Sequence, residues 1–323
     1  MIRPNRPRYA ARLNAFKQLS PGSDVIDWIT SAGQVEGLGA ADLNYPDHFS
    51  KHGEEAVKGA LDKAELELNG IAMRYYSEPA FKLGAFTNPD RSVRQTAIDI
   101  TKRGLDACAR MGGRVVTLWM GQDGFDYAFQ VDYAAAWDHT IKAIREVCAH
   151  NPGLDIAIEY KPNEPRAFSL MPDIGTTLLA CKEVNAANLG VTLDFAHVLY
   201  ADEMPACSAA LIARHSRMIG LHLNDGYGKR DDGLMVGSVH AIQTVELLIA
   251  MLRANRTDVI YFDTFPDMGG MNPIEEARTN VLMTDRLLEV AYRLSDNAEL
   301  SDAIGRQDAA ISQRIVAREL YGL

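Results

Sequence analysis

Four side chains that could bind a metal ion lie near the ends of four successive apolar segments of the sequence: Glu159, Asp194, His222 and Asp263. If these segments are parallel strands of one barrel, their carboxyl ends meet at the same rim and the four side chains lie together. Three carboxylates beside one imidazole would repel one another without a cation. Oxygen donors with a single His suit Mn²⁺, Mg²⁺ or Co²⁺ better than a Cys-rich zinc site does, and Mn²⁺ is the ion that we favour.

Each of these residues also has a simpler explanation, because a carboxylate or a His can form an ordinary salt bridge or cap the following helix. Their equivalent positions on adjacent strands favour a shared role over four separate ones. His197 follows Asp194 by three residues, in a loop where a second metal or a substrate oxygen could lie. Taken alone, His197 could equally be a loop histidine with an ordinary hydrogen bond.

The elements that must position these residues alternate between short apolar segments and longer amphipathic ones. Continuous apolar segments are typical of parallel strands that are covered on both faces. The predicted strands are 35–43, 69–76, 113–120, 154–160, 189–195, 218–224 and 258–263, and 24–30 is either an eighth strand or a helix. The predicted helices are 92–111, 133–150, 173–184, 241–255 and 273–294.

This alternation predicts an α/β fold, specifically a (β/α)8 TIM barrel. We find no linker or low-complexity tract, so we expect a single domain over residues 1–323 with its core at about 24–295. The first twenty or so residues fall outside the alternation and form a short N-terminal extension. Residues 296–323 read as a polar, helical C-terminal extension, which either packs on the barrel or on another subunit, or frays.

Composition excludes several classes of protein. With 33 Lys and Arg against 43 Asp and Glu, the net charge is −10, which disfavours binding to nucleic acid. No segment reaches the roughly 18 uncharged apolar residues that a membrane span needs, and residues 1–16 lack the apolar centre of a secretory signal. The four cysteines are spread singly, so we expect buried, reduced thiols and a cytoplasmic protein.

The chain resembles the bacterial L-rhamnose isomerases with broad sugar specificity, which belong to the xylose-isomerase-like TIM-barrel superfamily. Two segments carry the resemblance, IEYKPNEPRAFSLMPDIGTTLLACKEVNAANLGVTLDFAH (158–197) and IGLHLNDGYGKRDDGLMVGSV (219–239), and VVTLWMGQDG (115–124) also fits. The similarity extends from about residue 113 to about residue 264. The E-Y-K-P and H-x-N-D motifs are specific only in combination.

The resemblance implies a structural metal held by Glu159, Asp194, His222 and Asp263. It also implies a second, catalytic metal held partly by a His and two Asp residues. The His of that second site matches His197. Asp231 is retained, but Gly233 stands where an acid is expected, and Asp232 could substitute for it. This departure bears directly on whether the chain binds one ion or two.

Other residues suit a sugar-binding cavity. Trp119 would offer an aromatic face to a sugar, although core packing is an equally good explanation, and Lys161 would donate a hydrogen bond to a substrate oxygen. His48 and residues 74–76 follow other strands and could contact substrate. For these, a purely structural role fits the sequence as well.

Three functions are compatible with the sequence. The first is aldose–ketose isomerisation through a metal-stabilised enediolate or a hydride shift, with Asp231 or a metal-bound water as base and with Lys161 and His197 orienting oxygens. The second is the α subunit of a C-glycoside deglycosidase, which would use one metal to eliminate the substituent of a 3-oxo-glycoside and would work with a small β subunit. The third is a sugar-binding or scaffold protein without activity. The resembling family assembles as dimers or tetramers, so a homo-oligomer acting on a small carbohydrate is expected.

Overall fold

The computed structural model describes residues 6–17, 22–254 and 259–323, and eight parallel strands in these ranges form a closed barrel. Each strand pairs with its neighbours in sequence, and the last pairs with the first, so the predicted (β/α)8 TIM barrel is confirmed. The strands are β1 (Arg8–Arg12), β2 (Leu38–Tyr45), β3 (Glu67–Met73), β4 (Val115–Trp119), β5 (Asp155–Glu159), β6 (Leu189–Asp194), β7 (Met218–Leu223) and β8 (Val259–Phe262).

The first strand lies where no strand was predicted. β1 pairs with β8 and with β2, so the barrel begins upstream of the expected core boundary at residue 24. Its sequence, RYAAR, is short and has a charged residue at each end, which gives it a weak strand signal. The prediction that this segment is an extension outside the barrel was wrong.

Residues 24–30, the alternative position for an eighth strand, lie at the start of a helix, Val25–Ala32. Asp24 accepts a hydrogen bond from the backbone N–H of Ile26, and the Asp27 carboxylate accepts one from the N–H of Asp24. These reciprocal bonds satisfy donors at the helix terminus, so the local sequence specifies a helix start.

Ten helices of at least eight residues surround the barrel in the described part of the chain, and the five predicted from sequence are all present. They are α1 (Val25–Ala32), α2 (Glu54–Lys63), α3 (Arg91–Arg110), α4 (Tyr133–His150), α5 (Ile174–Val184), α6 (Pro205–His215), α7 (Ala241–Arg253), α8 (Pro273–Ser295), α9 (Ala298–Gly305) and α10 (Ala309–Tyr321). None of the helices in the described ranges is both long and apolar enough to span a membrane. Cys207 is exposed on the outer face of α6, contrary to the expectation that all four cysteines are buried.

The helical C-terminal extension packs against the barrel. Leu300, Ala303 and Ile315 are buried members of α9 and α10, and Arg293 of α8 forms an ion pair with Glu319. α10 therefore packs on α8, and α9 packs on α10.

Strand register sets the height of the candidate site residues. Trp119 pairs with Glu159 across β4 and β5, and Asp194 pairs with His222 across β6 and β7. Because these residues end their strands or lie one residue before the end, their side chains lie at the carboxyl rim. Asp263 directly follows β8 at the same rim.

Candidate metal centre and substrate cavity

The structure brings together the four residues that were predicted to bind a metal. One donor atom each from Glu159, Asp194, His222 and Asp263 lies within 4.8 Å of all the others. The Nδ1 atom of His222 is central: it lies 3.1 Å from Glu159 Oε1, 3.8 Å from Asp194 Oδ2 and 3.7 Å from Asp263 Oδ2. Three carboxylates and one imidazole thus converge on one small volume.

Asp194 is held in place by backbone and side-chain donors. Its Oδ1 accepts a hydrogen bond from the N–H of His197, at the start of a short helix, Phe195–Tyr200. The Nδ2 of Asn224 lies 3.2 Å from each Asp194 oxygen and 3.0 Å from the carbonyl oxygen of Asp263. The Oδ1 of Asn224 accepts a hydrogen bond from the N–H of Ala196. Asp194 therefore caps a helix, as the simpler explanation allowed, and also faces the cluster.

Asn224 was not assigned a role from sequence. It is fully buried, and it follows His222 by two residues in an otherwise apolar segment. A polar residue at that spacing faces the same side of a strand as the ligand candidate, and this was the available signal. Its contacts orient one carboxylate and one backbone carbonyl of the cluster.

The electrostatics of the cluster favour a bound cation. Burial raises the pKa of Asp194 to about 7 and also raises the pKa of Asp263. Burial lowers the pKa of His222, but the neighbouring carboxylates, Glu159 first, outweigh burial and raise it to about 9. For Glu159, burial opposes ionisation, but His222 and then His197 outweigh it and lower the pKa. Retained protons reduce the mutual repulsion here, and a divalent cation would displace them.

The donor set therefore fits a hard divalent cation. The Oδ1 atom of Asp263 is buried without a hydrogen bond from the described residues, although Arg12 Nε lies 3.2 Å away in an ion pair. Oxygen donors and one imidazole match Mn²⁺, Mg²⁺ or Co²⁺.

Beside the cluster, Asp231 joins two cationic side chains. Its Oδ2 lies 3.1 Å from Lys161 Nζ and 3.2 Å from His197 Nε2. The other ring nitrogen of His197, Nδ1, donates to the carbonyl oxygen of Tyr160 at 3.0 Å. Burial lowers the pKa of His197, but Asp194 and Asp231 outweigh it and raise the pKa to about 10. Of the predicted catalytic residues, Asp231 thus contacts both Lys161 and His197.

The Asp231 carboxylate is ionised, and one of its two oxygens forms no hydrogen bond with the described residues. Burial would raise its pKa, but His197 and Lys161 outweigh burial and lower it well below the ordinary value. Its Oδ1 is buried and has no hydrogen-bond partner among the described residues. A buried carboxylate oxygen without a partner is costly, and a ligand's O–H group could satisfy it.

The loop after Asp231 does not supply the further acid that a second metal would need. Asp232 accepts hydrogen bonds from the N–H of Tyr227 and from Arg230 Nε, both at 2.8 Å, and does not line the cavity. Gly233 has a φ of +55°, and a Cβ there would lie 2.4 Å from the ring of Phe265. Close packing against Phe265 and the left-handed backbone conformation thus disfavour an acid at 233 in this loop, and the suggested substitution by Asp232 is not seen.

A cavity of about 200 Å³ opens above the cluster. Trp119 lines it, as predicted, with its ring edge-on to Tyr76 at 5.2 Å and with Lys161 Nζ 5.4 Å from the ring centroid. Its Nε1 is buried with no partner in the described chain. Trp119 is therefore a cavity wall as well as a packed side chain.

His48 does not line this cavity, so the prediction from sequence that it contacts substrate directly is corrected. It is 5% exposed, and its Nδ1 accepts a hydrogen bond from the N–H of Asn44. Its Nε2 lies 2.8 Å from Asn14 Oδ1. Burial lowers the pKa of His48 to about 3, so the ring is neutral. It supports Asn44, which does line the cavity.

Sequence reasoning also missed charged residues of the cavity wall. Arg12, at the end of the unpredicted β1, pairs with Asp263 and with Asp267 at 3.2 Å each. Asp42 faces the cavity from β2, and burial raises its pKa to about 6. The spacing of Asp42 and Asn44 by two residues in an apolar strand was a usable signal.

A closed parallel barrel with a cluster of acids and a His at its carboxyl rim defines a class of (β/α)8 proteins whose site lies at that rim. The model of the family described as "Xylose isomerase-like TIM barrel" matches residues 31–287, and the chain belongs to this family. The superfamily named from the sequence motifs is thereby confirmed, whereas the closer likeness to rhamnose isomerases stays a prediction.

Individual relatives agree with this assignment. The chain is 29% identical over 187 residues to a xylose isomerase of Thermus thermophilus, which is 56% of this chain and 48% of that protein. The match thus spans about half the length of that relative. Among solved structures, a xylose isomerase domain protein from Alicyclobacillus acidocaldarius has a TM-score of 0.68 at 16% identity, covering 89% of this chain and 100% of its own. A D-allulose 3-epimerase from Methylomonas sp. has a TM-score of 0.69 at 13% identity, covering 88% and 98%. These structural likenesses show the shared fold.

Proposed function

We propose that this protein is a divalent-metal-dependent sugar isomerase that interconverts an aldose and a ketose, with Mn²⁺ as the favoured ion. The observation that carries the proposal is the convergence of Glu159, Asp194, His222 and Asp263 beside a small polar cavity. The cavity of about 200 Å³ lies below the roughly 300–1,000 Å³ range of pockets for drug-sized ligands. Its size therefore suits a monosaccharide, and the relatives named as xylose isomerase and as 3-epimerase point to the same substrate class.

A cation held by the four residues would supply Lewis-acid polarisation of a sugar carbonyl and of the hydroxyl beside it. Lys161 and His197, both cationic, would donate hydrogen bonds to sugar oxygens that gain negative charge. The ionised Asp231 would accept a proton at its unused Oδ1, and Trp119 would cover an apolar face of the sugar.

The number of ions bears on the route of the reaction. Asp232 is bonded within its own loop and Gly233 carries no acid, so we propose one ion per chain. With one ion, proton transfer between neighbouring carbons through an enediolate is favoured over a hydride shift that needs a second ion.

The same observation supports a second candidate, the α subunit of a C-glycoside deglycosidase. Proton abstraction beside the carbonyl of a 3-oxo-glycoside, followed by loss of the C1 substituent, also needs a single Lewis acid and a base. The size of the cavity favours a monosaccharide over a glycoside with a large aglycone. A small β subunit that copurifies with the chain would support the second candidate.

The experiment is incubation of the Mn²⁺-loaded protein with a panel of aldoses and with a 3-oxo-C-glycoside, with ketose and released aglycone measured by chromatography. Formation of ketose by the wild type, and its loss in Glu159→Gln, supports isomerisation. Glu55→Gln is the matched control, because Glu55 is exposed on the outer helix α2, does not line the cavity and should leave activity unchanged. Release of aglycone without ketose would replace the first candidate with the second, and full activity in Glu159→Gln would contradict both.

A further inference from the structure

Among the described residues, one cation in the cavity wall lacks an anionic partner. Three Arg or Lys side chains from the described ranges line the cavity, namely Arg12, Arg74 and Lys161. Arg12 pairs with two aspartates, and Lys161 pairs with Asp231 and Glu164. Arg74 has no carboxylate within 4.0 Å among the described residues, and Asp42, which faces the same cavity, lies beyond that distance.

Arg74 is fixed by a chain of buried polar groups. The Asn44 amide oxygen, in the orientation that satisfies its neighbours, accepts from Arg74 Nε at 3.1 Å and from its Nη2 at 3.0 Å. Asn14 Nδ2 donates a hydrogen bond to the same oxygen at 2.8 Å, and His48 Nδ1 accepts a hydrogen bond from the backbone N–H of Asn44. The guanidinium also lies 5.1 Å from the centroid of the Tyr76 ring. One edge of the guanidinium is therefore held by the protein, and its Nη1 remains available to a ligand.

Arg74 faces the cluster from the other side of the barrel. It follows β3, whereas the four candidate ligands lie at the carboxyl ends of β5, β6, β7 and β8. A ligand that spans the cavity can thus place one end at the cluster and the other at Arg74. A partly buried guanidinium with unused donors is complementary to a carboxylate or a phosphate, with which it forms short, charge-assisted hydrogen bonds.

We propose that Arg74 is an anion subsite and that the substrate is an acidic monosaccharide, with a carboxylate or phosphate at the end opposite the oxygens at the cluster. This inference rests on the proposed sugar isomerase function and narrows it to a charged substrate class. It also gives His48 and Asn44 a positioning role, because they hold the guanidinium toward the cavity.

The test compares binding of matched sugars by calorimetry in the gluco, galacto and manno series. Each series contains the neutral hexose, the uronate and the 6-phosphate, which differ only at C6. In at least one series the anionic sugar should bind roughly 10- to 100-fold more tightly than the neutral one, as expected for hydrogen bonds between charged groups. The better of the uronate and the phosphate identifies the anion.

Variants assign this preference to its cause. Arg74→Gln should abolish it, Arg74→Lys should retain part of it because the charge stays but the fork geometry is lost, and Arg91→Gln should leave it intact. Arg91 is exposed at the start of α3 and serves as the matched control.

The remaining outcomes separate the inference from the proposed function. The anion subsite would be overturned if neutral hexoses bound as tightly as their anionic partners in every series. It would also be overturned if the preference for the anionic sugar survived in Arg74→Gln. Either result would leave isomerisation of neutral sugars intact. Anionic sugars that bind through Arg74 but are never isomerised would uphold the subsite and contradict the proposed function. If no sugar binds in any series, both fail.

Discussion

Replacing Asn224 with alanine is expected to weaken Mn²⁺ binding without removing a ligand. The Asn224 amide donates to both oxygens of Asp194 and to the carbonyl of Asp263, so its loss frees one candidate ligand to rotate. Loss of groups that orient metal ligands typically lowers metal affinity about 10- to 100-fold, which corresponds to about 1.4–2.8 kcal/mol. Stability should fall as well, because the buried N–H of Ala196 loses its acceptor, at a cost of about 1–3 kcal/mol.

The assay is calorimetric titration of the metal-free variant with Mn²⁺, alongside chemical denaturation of the same protein. Asn188→Ala is the matched control: Asn188 is also buried and donates to three backbone carbonyls, but it lies just before the start of β6, at the end of the barrel opposite the cluster. We expect Asn188→Ala to lose stability with unchanged Mn²⁺ affinity. Unchanged affinity in a folded Asn224→Ala, or equal weakening in both variants, would refute the orienting role.

Three further predictions concern the site. Asp231→Asn should lower the turnover rate about 10²- to 10⁴-fold, as for loss of a proton acceptor, while Mn²⁺ affinity should fall less than in Asn224→Ala, because Asp231 bonds to Lys161 and His197 and to none of the four candidate ligands. Steady-state kinetics gives the rate and calorimetry the affinity, and an unchanged turnover rate would contradict this prediction. Since His222 and His197 have pKa values raised to about 9 and about 10, the folded metal-free protein binds more protons than the unfolded chain above about pH 6.5, and its melting temperature should fall from pH 6.5 to 10. A melting temperature that stays constant or rises over this pH range would contradict the prediction. Gly233→Asp should lower the free energy of unfolding by about 2–5 kcal/mol, because the residue has a positive φ and its Cβ would contact Phe265. The variant should still bind a single metal ion, and a second ion found by metal analysis would contradict this prediction.

Much of the barrel could be predicted from sequence because its buried strands are continuous apolar segments. The strands that end in Glu159 and Asp194 were found within a residue or two of their observed bounds. β1 was missed because its pairing with β8 joins residues some 250 positions apart, and nothing in RYAAR shows that pairing locally.

The candidate site was predictable where a reactive residue ends a recognisable strand. Strand position alone does not predict that Asp231 lies between Lys161 and His197, because these side chains meet through tertiary contacts, and Asp231 was singled out only by the resemblance to a known family. His48 shows the reverse error. Its position after a strand suggested substrate contact, but its two ring nitrogens form hydrogen bonds with Asn14 and with the backbone N–H of Asn44. The position of a residue at the end of a strand predicts that it lies at the rim, whereas the direction of its side chain depends on its neighbours.

The central claim is that Glu159, Asp194, His222 and Asp263 form one divalent cation site. It is tested most directly by titrating the metal-free protein with Mn²⁺ and following the free ion by electron paramagnetic resonance. We predict one tightly bound ion per chain in the wild type and in Glu55→Gln, and no tight binding in Glu159→Gln. Absence of tight binding in the wild type, or undiminished binding in Glu159→Gln, would contradict the claim.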